Sequence, residues 1–188
     1  MDAKHLITVP RCGATRKFGK FTVTFAKSDH VSSHNILQRV VEGEITKPLK
    51  TPAHFSRFNC GGVHVLHIAH PDGNIVVTTT AGAHAGQLKG KCADVVFLGV
   101  GLLAKECECK QDFYWREAVD AVKPEMVIPV HWDNFSRKLH AGLMPFPRYA
   151  DNIQAAMEIV KTKAKEQECQ VRVMGLRDSI LIRNRKVQ

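Results

Sequence analysis

The amino-acid sequence predicts an α/β fold in which a mixed β-sheet is flanked by helices. Short apolar stretches have the period of strands, two longer stretches have the period of helices, and Pro-Asp-Gly at residues 71–73 predicts a hairpin turn. Alternation of strands and helices favours an α/β sheet, whereas the hairpin argues against a purely doubly wound arrangement. With 188 residues, 44% of them hydrophobic, the chain can bury one core, so we expect a single domain.

The predicted elements follow from local patterns along the chain. Phenylalanine and valine alternate with threonine at residues 20–26, which predicts a strand with one buried face. Polar residues, prolines and histidines at 29–59 predict a long loop. The further predicted elements are a hairpin at 62–80, a mid-sheet strand at 93–100, a helix at 111–122, a strand at 126–130, a helix at 152–165, and two terminal strands at 170–174 and 179–183.

The amino-acid composition indicates which binding partners and which cellular compartment to expect for this protein. The 27 Lys+Arg against 18 Asp+Glu give a formal charge of +9, which favours anionic ligands, but the basic residues are spread along the chain. We therefore expect a solvated basic surface and no nucleic-acid partner. The scattered cysteines and the polar start Met1-Asp2 predict a reduced, cytoplasmic protein. No apolar stretch reaches the roughly 18 residues of a membrane-spanning helix, so we expect no membrane span.

Two histidines follow predicted strands. His131 comes directly after the strand at 126–130, and His30 lies shortly after the strand at 20–26. The carboxyl ends of strands are where α/β sheets build ligand sites, and a neutral imidazole there can bind a metal or transfer a proton. From position alone, each histidine is equally well interpreted as structural.

Three segments carry a resemblance to a known family. They are FGKFTVTF at 18–25 leading into SDH at 28–30, DVVFLGVG at 94–101, and IPVHWDNF at 128–135. In this order they resemble the metallo-β-lactamase fold, in its lactonase-like branch. The resemblance covers about residues 17–140. It implies the C-terminal part of an αβ/βα sandwich, in which two sheets pack face to face with helices outside.

The resemblance also implies a metal site. Members of this superfamily use one or two metal ions, commonly zinc, to activate the water that attacks an ester, lactone or phosphodiester. It implies His30 and His131 as metal ligands, with Asp133 as a hydrogen-bonding partner behind them. Trp132 is expected beside the cleft, which should lie near residues 79–82.

The sequence departs from the family pattern at two places. The motif His-x-His-x-Asp-His is absent, because Phe25 and Lys27 stand where its histidines would precede Asp29-His30. The Asp that bridges two metal ions is also absent, since the strand at 74–78 is followed by Thr79, Thr80 and, further on, His84. A neutral hydroxyl cannot replace a carboxylate between two cations, so we expect these three residues to contact substrate or to support the ligands.

Two other groups of metal-binding residue types are expected not to hold a metal. His64 and His70 share one face of a predicted strand and His67 takes the other, so the three cannot converge. Cys107 and Cys109 form a single Cys-x-Cys in a charged stretch, and without a second cysteine pair this is a weak zinc signal.

The sequence supports two functional hypotheses. The first is a metal-dependent hydrolase acting on a small molecule, truncated and impaired in this chain because most metal ligands are missing. The second is a non-catalytic remnant that binds an anionic ligand. In both, the absent N-terminal sheet would leave an apolar face open, so we expect a homo-oligomer or another partner to cover it.

Overall fold

The computed structural model describes residues 13–32, 49–59 and 62–182, which form one seven-stranded sheet and two α-helices. The strands are β1 Thr15–Phe18, β2 Phe21–Ser28, β3 Val63–His70, β4 Gly73–Val77, β5 Val95–Gly99, β6 Met126–Val130 and β7 Gln170–Val171. The helices are α1 Glu108–Trp115, continued by a π-helical segment at Arg116–Asp120, and α2 Ile153–Glu166. The α/β class is therefore confirmed.

The strands lie in the sheet in their order along the chain. Tight turns join β1 to β2 and β3 to β4. Each neighbouring pair among the first four strands is antiparallel. The strands from β4 to β7 pair parallel, with α1 crossing between β5 and β6 and α2 between β6 and β7. The predicted mixed sheet with an antiparallel hairpin is confirmed, as is the mid-sheet position of β5, which pairs with β4 on one side and β6 on the other.

The ends of the sheet depart from the prediction. The edge strand β1 was not predicted, because its polar residues Arg16 and Lys17 hide the strand pattern. The predicted strand at 179–183 is wrong, since residues 179–182 have no regular structure and Arg183 lies outside the described residues. Ile182 of this segment packs on the sheet instead of pairing in it, since its Cγ2 lies 2.7 Å from where a Cβ on Gly73 would be.

Both helices cover the same face of the sheet. Parallel crossovers are right-handed, and successive crossovers that advance in one direction place their helices on one side. The buried side chains of this face and of the helices form one core. It contains Val65, Val76, Val96, Leu98 and Val127 from the strands, Tyr114, Trp115 and Val119 from the α1 region, and Ala156, Val160 and Ala164 from α2.

The other face of the sheet, called here the second face, is apolar. Its side chains are half-buried in the row that crosses β2 to β5, whereas Val95 and Ile128 on the same face are buried. Cross-strand register aligns its side chains in rows, because Phe25 pairs with Leu66, Leu66 with Val77, and Val77 with Phe97. All four are half-buried, whereas partners on the helix-covered face such as Val76 and Val96 are fully buried. A sheet with helices on one side is half of an αβ/βα sandwich.

The predicted loop at 29–59 and the expected absence of a membrane-spanning helix concern the parts of the chain outside the core sheet. Residues 29–32 and 49–59 contain no strand, and residues 33–48 lie outside the described part of the chain, so the long loop at 29–59 stays a prediction. Within the described ranges, no helix is both long and apolar enough to cross a membrane.

His67 is a buried histidine of the core face. Its side chain lies on the opposite face of β3 from His64 and His70, as predicted, and its ring Nε2 lies 2.9 Å from the carbonyl oxygen of Cys92. Burial lowers the pKa of His67, since desolvation penalises the charged ring. The unfolded chain therefore binds a proton at this position more readily than the folded chain does.

We expect the stability that depends on His67 to be fully present above about pH 6.5 and to be lost as pH falls towards the lowered pKa of the folded state. The measurement is the free energy of unfolding in urea at a series of pH values from neutral to mildly acidic. His67→Gln should flatten this decline, while the matched control His70→Gln should keep it. A decline of equal slope in wild type and His67→Gln would assign the acid sensitivity to other groups.

Candidate functional site

Four strands end at one edge of the sheet. Because β2 is antiparallel to β3 and β3 to β4, β2 runs in the same direction as β4, β5 and β6. Their carboxyl ends therefore share an edge, called here the carboxyl edge. His30 follows β2, Thr79 follows β4, Gly101 follows β5, and His131 follows β6 directly. The predicted histidines thus lie at the same edge of the sheet.

The loop after β4 reaches across the end of β3 to the segment after β2. A Cβ on Gly82 would lie 2.2 Å from the carbonyl oxygen of Asp29 and 2.5 Å from the carbonyl carbon of His30. Two hydrogen bonds fix this approach: the Ser28 hydroxyl donates to the carbonyl oxygen of Gly82 (3.3 Å), and the Val31 amide donates to Thr80 Oγ1 (3.2 Å). The position of His30 therefore depends on a glycine at 82.

The same close packing continues to His131. A Cβ on Gly99 would lie 2.8 Å from the amide nitrogen of Thr80, and one on Gly101 would lie 3.1 Å from both Cδ2 and the carbonyl oxygen of His131. His131 itself has a φ of 59°, a left-handed conformation that non-glycine residues rarely adopt. Strained backbone of this kind concentrates at functional sites. Successive backbone contacts thus connect the segments that carry His30 and His131.

Each predicted site histidine has a defined neighbour. His30 is exposed, and its Nδ1 lies 3.2 Å from the carbonyl oxygen of Val31. In the tautomer that donates from Nδ1, the lone pair is on Nε2, which is the arrangement common to metal-binding histidines. His84 pairs with Asp29, since its Nδ1 lies 3.0 Å from Asp29 Oδ2. His84 thus lies beside the His30 segment.

The threonines of the edge differ in exposure. Thr79 is exposed. Thr80 is only 4% exposed, and its hydroxyl accepts the Val31 amide. The described contacts therefore give Thr80 a role in positioning the segment after β2.

Residues after His131 form a closed loop. Asp133 forms an isolated antiparallel bridge with Pro145, and the Asn134 amide donates to the carbonyl oxygen of Met144 (2.7 Å). Trp132 is half-buried and packs against the core. Beyond this closure, residues 134–150 include no acidic residue, and the side chain of Phe135 is 73% exposed with its ring centroid 6.4 Å from that of His131. The loop presents an apolar and basic surface beside His131.

A buried hydroxyl pair supports the edge from the core side. The Tyr114 hydroxyl donates to the carbonyl oxygen of Gly99 (2.8 Å) and lies 2.7 Å from Thr78 Oγ1, which accepts the Gly99 amide (2.8 Å). Burial strongly raises the pKa of Tyr114, which keeps the hydroxyl protonated. No local pattern in the sequence signals this network, because the two hydroxyl-bearing residues are 36 positions apart in the chain.

A catalytic zinc ion takes three protein ligands and a water. No group of three or more His, Cys, Asp or Glu side chains within residues 13–32, 49–59 and 62–182 is placed to hold a metal ion. The described donor set therefore does not fit a complete zinc site by itself.

Comparisons with known proteins find similarity at the level of structure. No protein-family model and no curated protein matches the chain. Among solved structures, the chain is similar to the metallo-β-lactamase-fold protein YhfI from Bacillus subtilis, with 12% sequence identity and a TM-score of 0.47. The similarity covers 89% of this chain and 52% of that protein, so the chain spans about half the length of YhfI.

Proposed function

We propose that this chain is the C-terminal part of a metal-dependent hydrolase of the metallo-β-lactamase superfamily. In this proposal His30 and His131 are two of the metal ligands, the metal is zinc, and the substrate is a small ester, lactone or phosphodiester. The observation that carries the proposal is the shared edge at which β2, β4, β5 and β6 end, because that edge brings both histidine-bearing segments into one packed backbone assembly.

The remaining ligands must come from outside the described residues. The second face supports this step, because its half-buried apolar row suits packing against a further sheet. A bound zinc ion would supply an activated water. The chain's own contribution would be to hold two imidazoles in place and to present Thr79, His84, Trp132 and Asp133 around them.

Zinc titration of the purified chain tests the assignment of the ligands. We expect weak binding by wild type, and loss of that binding in both His30→Ala and His131→Ala, since one remaining histidine does not make a site. The matched control is His70→Ala, because His70 lies at the opposite edge of the sheet. Calorimetry of all four proteins decides this. Equal affinity in wild type, His30→Ala and His131→Ala would make both histidines structural.

A hydrolysis assay tests a different part of the proposal, namely that the chain needs further metal ligands to be active. We expect the chain alone to hydrolyse generic ester, lactone and phosphodiester substrates no faster than His131→Ala does, because the described donor set is incomplete. Zinc-dependent turnover well above that control would contradict the proposed need for an additional segment.

The second hypothesis, a binding protein without catalysis, has one specific observation in its favour. The loop at 134–150 combines Arg137, Lys138 and Arg148 with the exposed Phe135 and no acidic residue, which suits an anionic ligand with an apolar part. Binding of such a ligand that survives His30→Ala and His131→Ala, and weakens with salt, would favour this alternative.

A further inference from the structure

Two exposed thiols lie in contact at the start of α1. Cys107 is the N-cap residue of the helix and Cys109 lies in its first turn, and their Sγ atoms are 2.6 Å apart. Both side chains are exposed. A single cysteine that attacks an external disulfide stays bound to half of it as a mixed disulfide. A second thiol this close can attack that mixed disulfide and release the bound half, so an exposed pair of thiols is arranged for complete exchange.

The turn that carries the two thiols is held by a buried carboxylate. Glu106 is only 8% exposed, pairs with Lys110 Nζ (3.2 Å) and accepts a hydrogen bond from the Ser32 hydroxyl (3.2 Å). Gln111 Nε2 donates to the carbonyl oxygen of Glu106 (2.8 Å). These contacts fix the backbone on both sides of Cys107, so the facing orientation of the thiols belongs to an ordered turn.

The surroundings make the two thiols unequal. Hydrogen bonding from Cys109 lowers the pKa of Cys107, and the backbone amide and ammonium of Lys110 add to this effect, while Glu106 opposes it. The same contact raises the pKa of Cys109. Cys107 is therefore the thiol that more readily becomes a thiolate, the nucleophilic form.

We propose that Cys107 and Cys109 form a thiol–disulfide exchange site, with Cys107 as the attacking thiol and Cys109 as the resolving thiol, for an exposed low-molecular-weight disulfide. The Cys107 thiolate attacks one sulfur of the external disulfide, whose other half leaves as a thiolate. Cys109 then loses its proton and attacks the Cys107 sulfur, which releases the second half. The chain is oxidised by two electrons, and one external disulfide becomes two thiols.

The other described cysteines provide a contrast. Cys92 is exposed, but its sulfur accepts a hydrogen bond from Asn74 Nδ2 (3.5 Å), and Cys169 donates to the carbonyl oxygen of Gln170 (3.7 Å). Among the cysteines that the structure describes, a contact between two Sγ atoms is recorded for Cys107 and Cys109. Exposure alone therefore does not predict exchange, and Cys92→Ser serves as the matched control.

Oxidised glutathione and intact-mass spectrometry with peptide mapping test the proposal on the full chain at neutral pH. We expect the wild-type peptide that contains residues 107–109 to lose two hydrogens without keeping glutathione. Cys109→Ser should stop at a mixed disulfide on Cys107, whereas Cys107→Ser should react at least about tenfold more slowly. Cys92→Ser should behave like wild type. Serine is a good N-cap residue, so the Cys107→Ser helix should persist, as far-UV circular dichroism can check.

Three results would overturn the proposal. They are equal reaction rates of Cys107→Ser and Cys109→Ser, a glutathione adduct that wild type retains at residue 107, and oxidation of Cys92 as fast as that of Cys107. None of these readouts depends on zinc or on hydrolysis, so failure here leaves the hydrolase proposal standing, and the reverse also holds.

Discussion

Gly82→Ala is expected to lower the free energy of unfolding by roughly 3 kcal/mol, at the upper end of overpacking effects. The added methyl group would lie 2.2 Å from the carbonyl oxygen of Asp29 and 2.6 Å from that of His30. Both atoms belong to backbone that Ser28 and Val31 hold by hydrogen bonds, so neither can move aside without breaking the approach of the β4 loop. Urea unfolding measures the loss.

The control for this substitution is Gly175→Ala. At Gly175 the nearest atom to an added Cβ is Asp178 Oδ2 at 3.5 Å, an ordinary contact distance, and the backbone is not left-handed. We expect a change within about 0.5 kcal/mol there. A Gly82→Ala protein as stable as Gly175→Ala would mean that the segments at 29–30 and 82 do not pack as described.

Thr78→Val is expected to cost about 2–3 kcal/mol, although valine has nearly the same shape. The hydroxyl of Thr78 accepts the buried Gly99 amide at 2.8 Å and contacts the Tyr114 hydroxyl at 2.7 Å. Valine leaves the Gly99 amide without this acceptor inside the core. A buried donor without an acceptor destabilises the fold by the free energy needed to remove it from water. Thermal or urea unfolding gives the value.

A double-mutant cycle with Tyr114→Phe separates the network from the individual groups. Because the two hydroxyls contact each other, the combined loss should be smaller than the sum of the single losses. Thr15→Val is the exposed control, since the Thr15 hydroxyl contacts that of Thr24 at 3.3 Å in solvent. Strict additivity of Thr78→Val and Tyr114→Phe would show that the hydroxyl pair contributes nothing jointly.

Local patterns sufficed for most of the sheet. The alternation around Phe21, the Pro71-Asp72 turn and the apolar runs at β5 and β6 each predict an element whose formation depends on a few neighbouring residues. The positions of His30 and His131 after strands followed from the same patterns. Their shared edge required the further step of strand direction, which the hairpin turn and the helical crossovers determine.

Contacts between distant residues were not predictable in this way. The Tyr114 hydroxyl contacts that of Thr78, and Gly82 packs against residues 29–30, because the fold brings together segments that are distant in the sequence. No local period signals either contact. The strand predicted at 179–183 was wrong for a related reason. Its apolar residues fit the pattern of a strand, but Ile182 packs against Gly73.

The order of strands in the sheet has a consequence for how the molecule is made. Each strand from β2 to β7 is added beside the one that precedes it in the chain, so none of these described strands has to insert between two others that are already paired. As the chain leaves the ribosome, hairpins and then crossovers can extend the sheet from β1 towards β7. The edge at each step is the template for the next strand, and His131 takes its place only once β6 has joined.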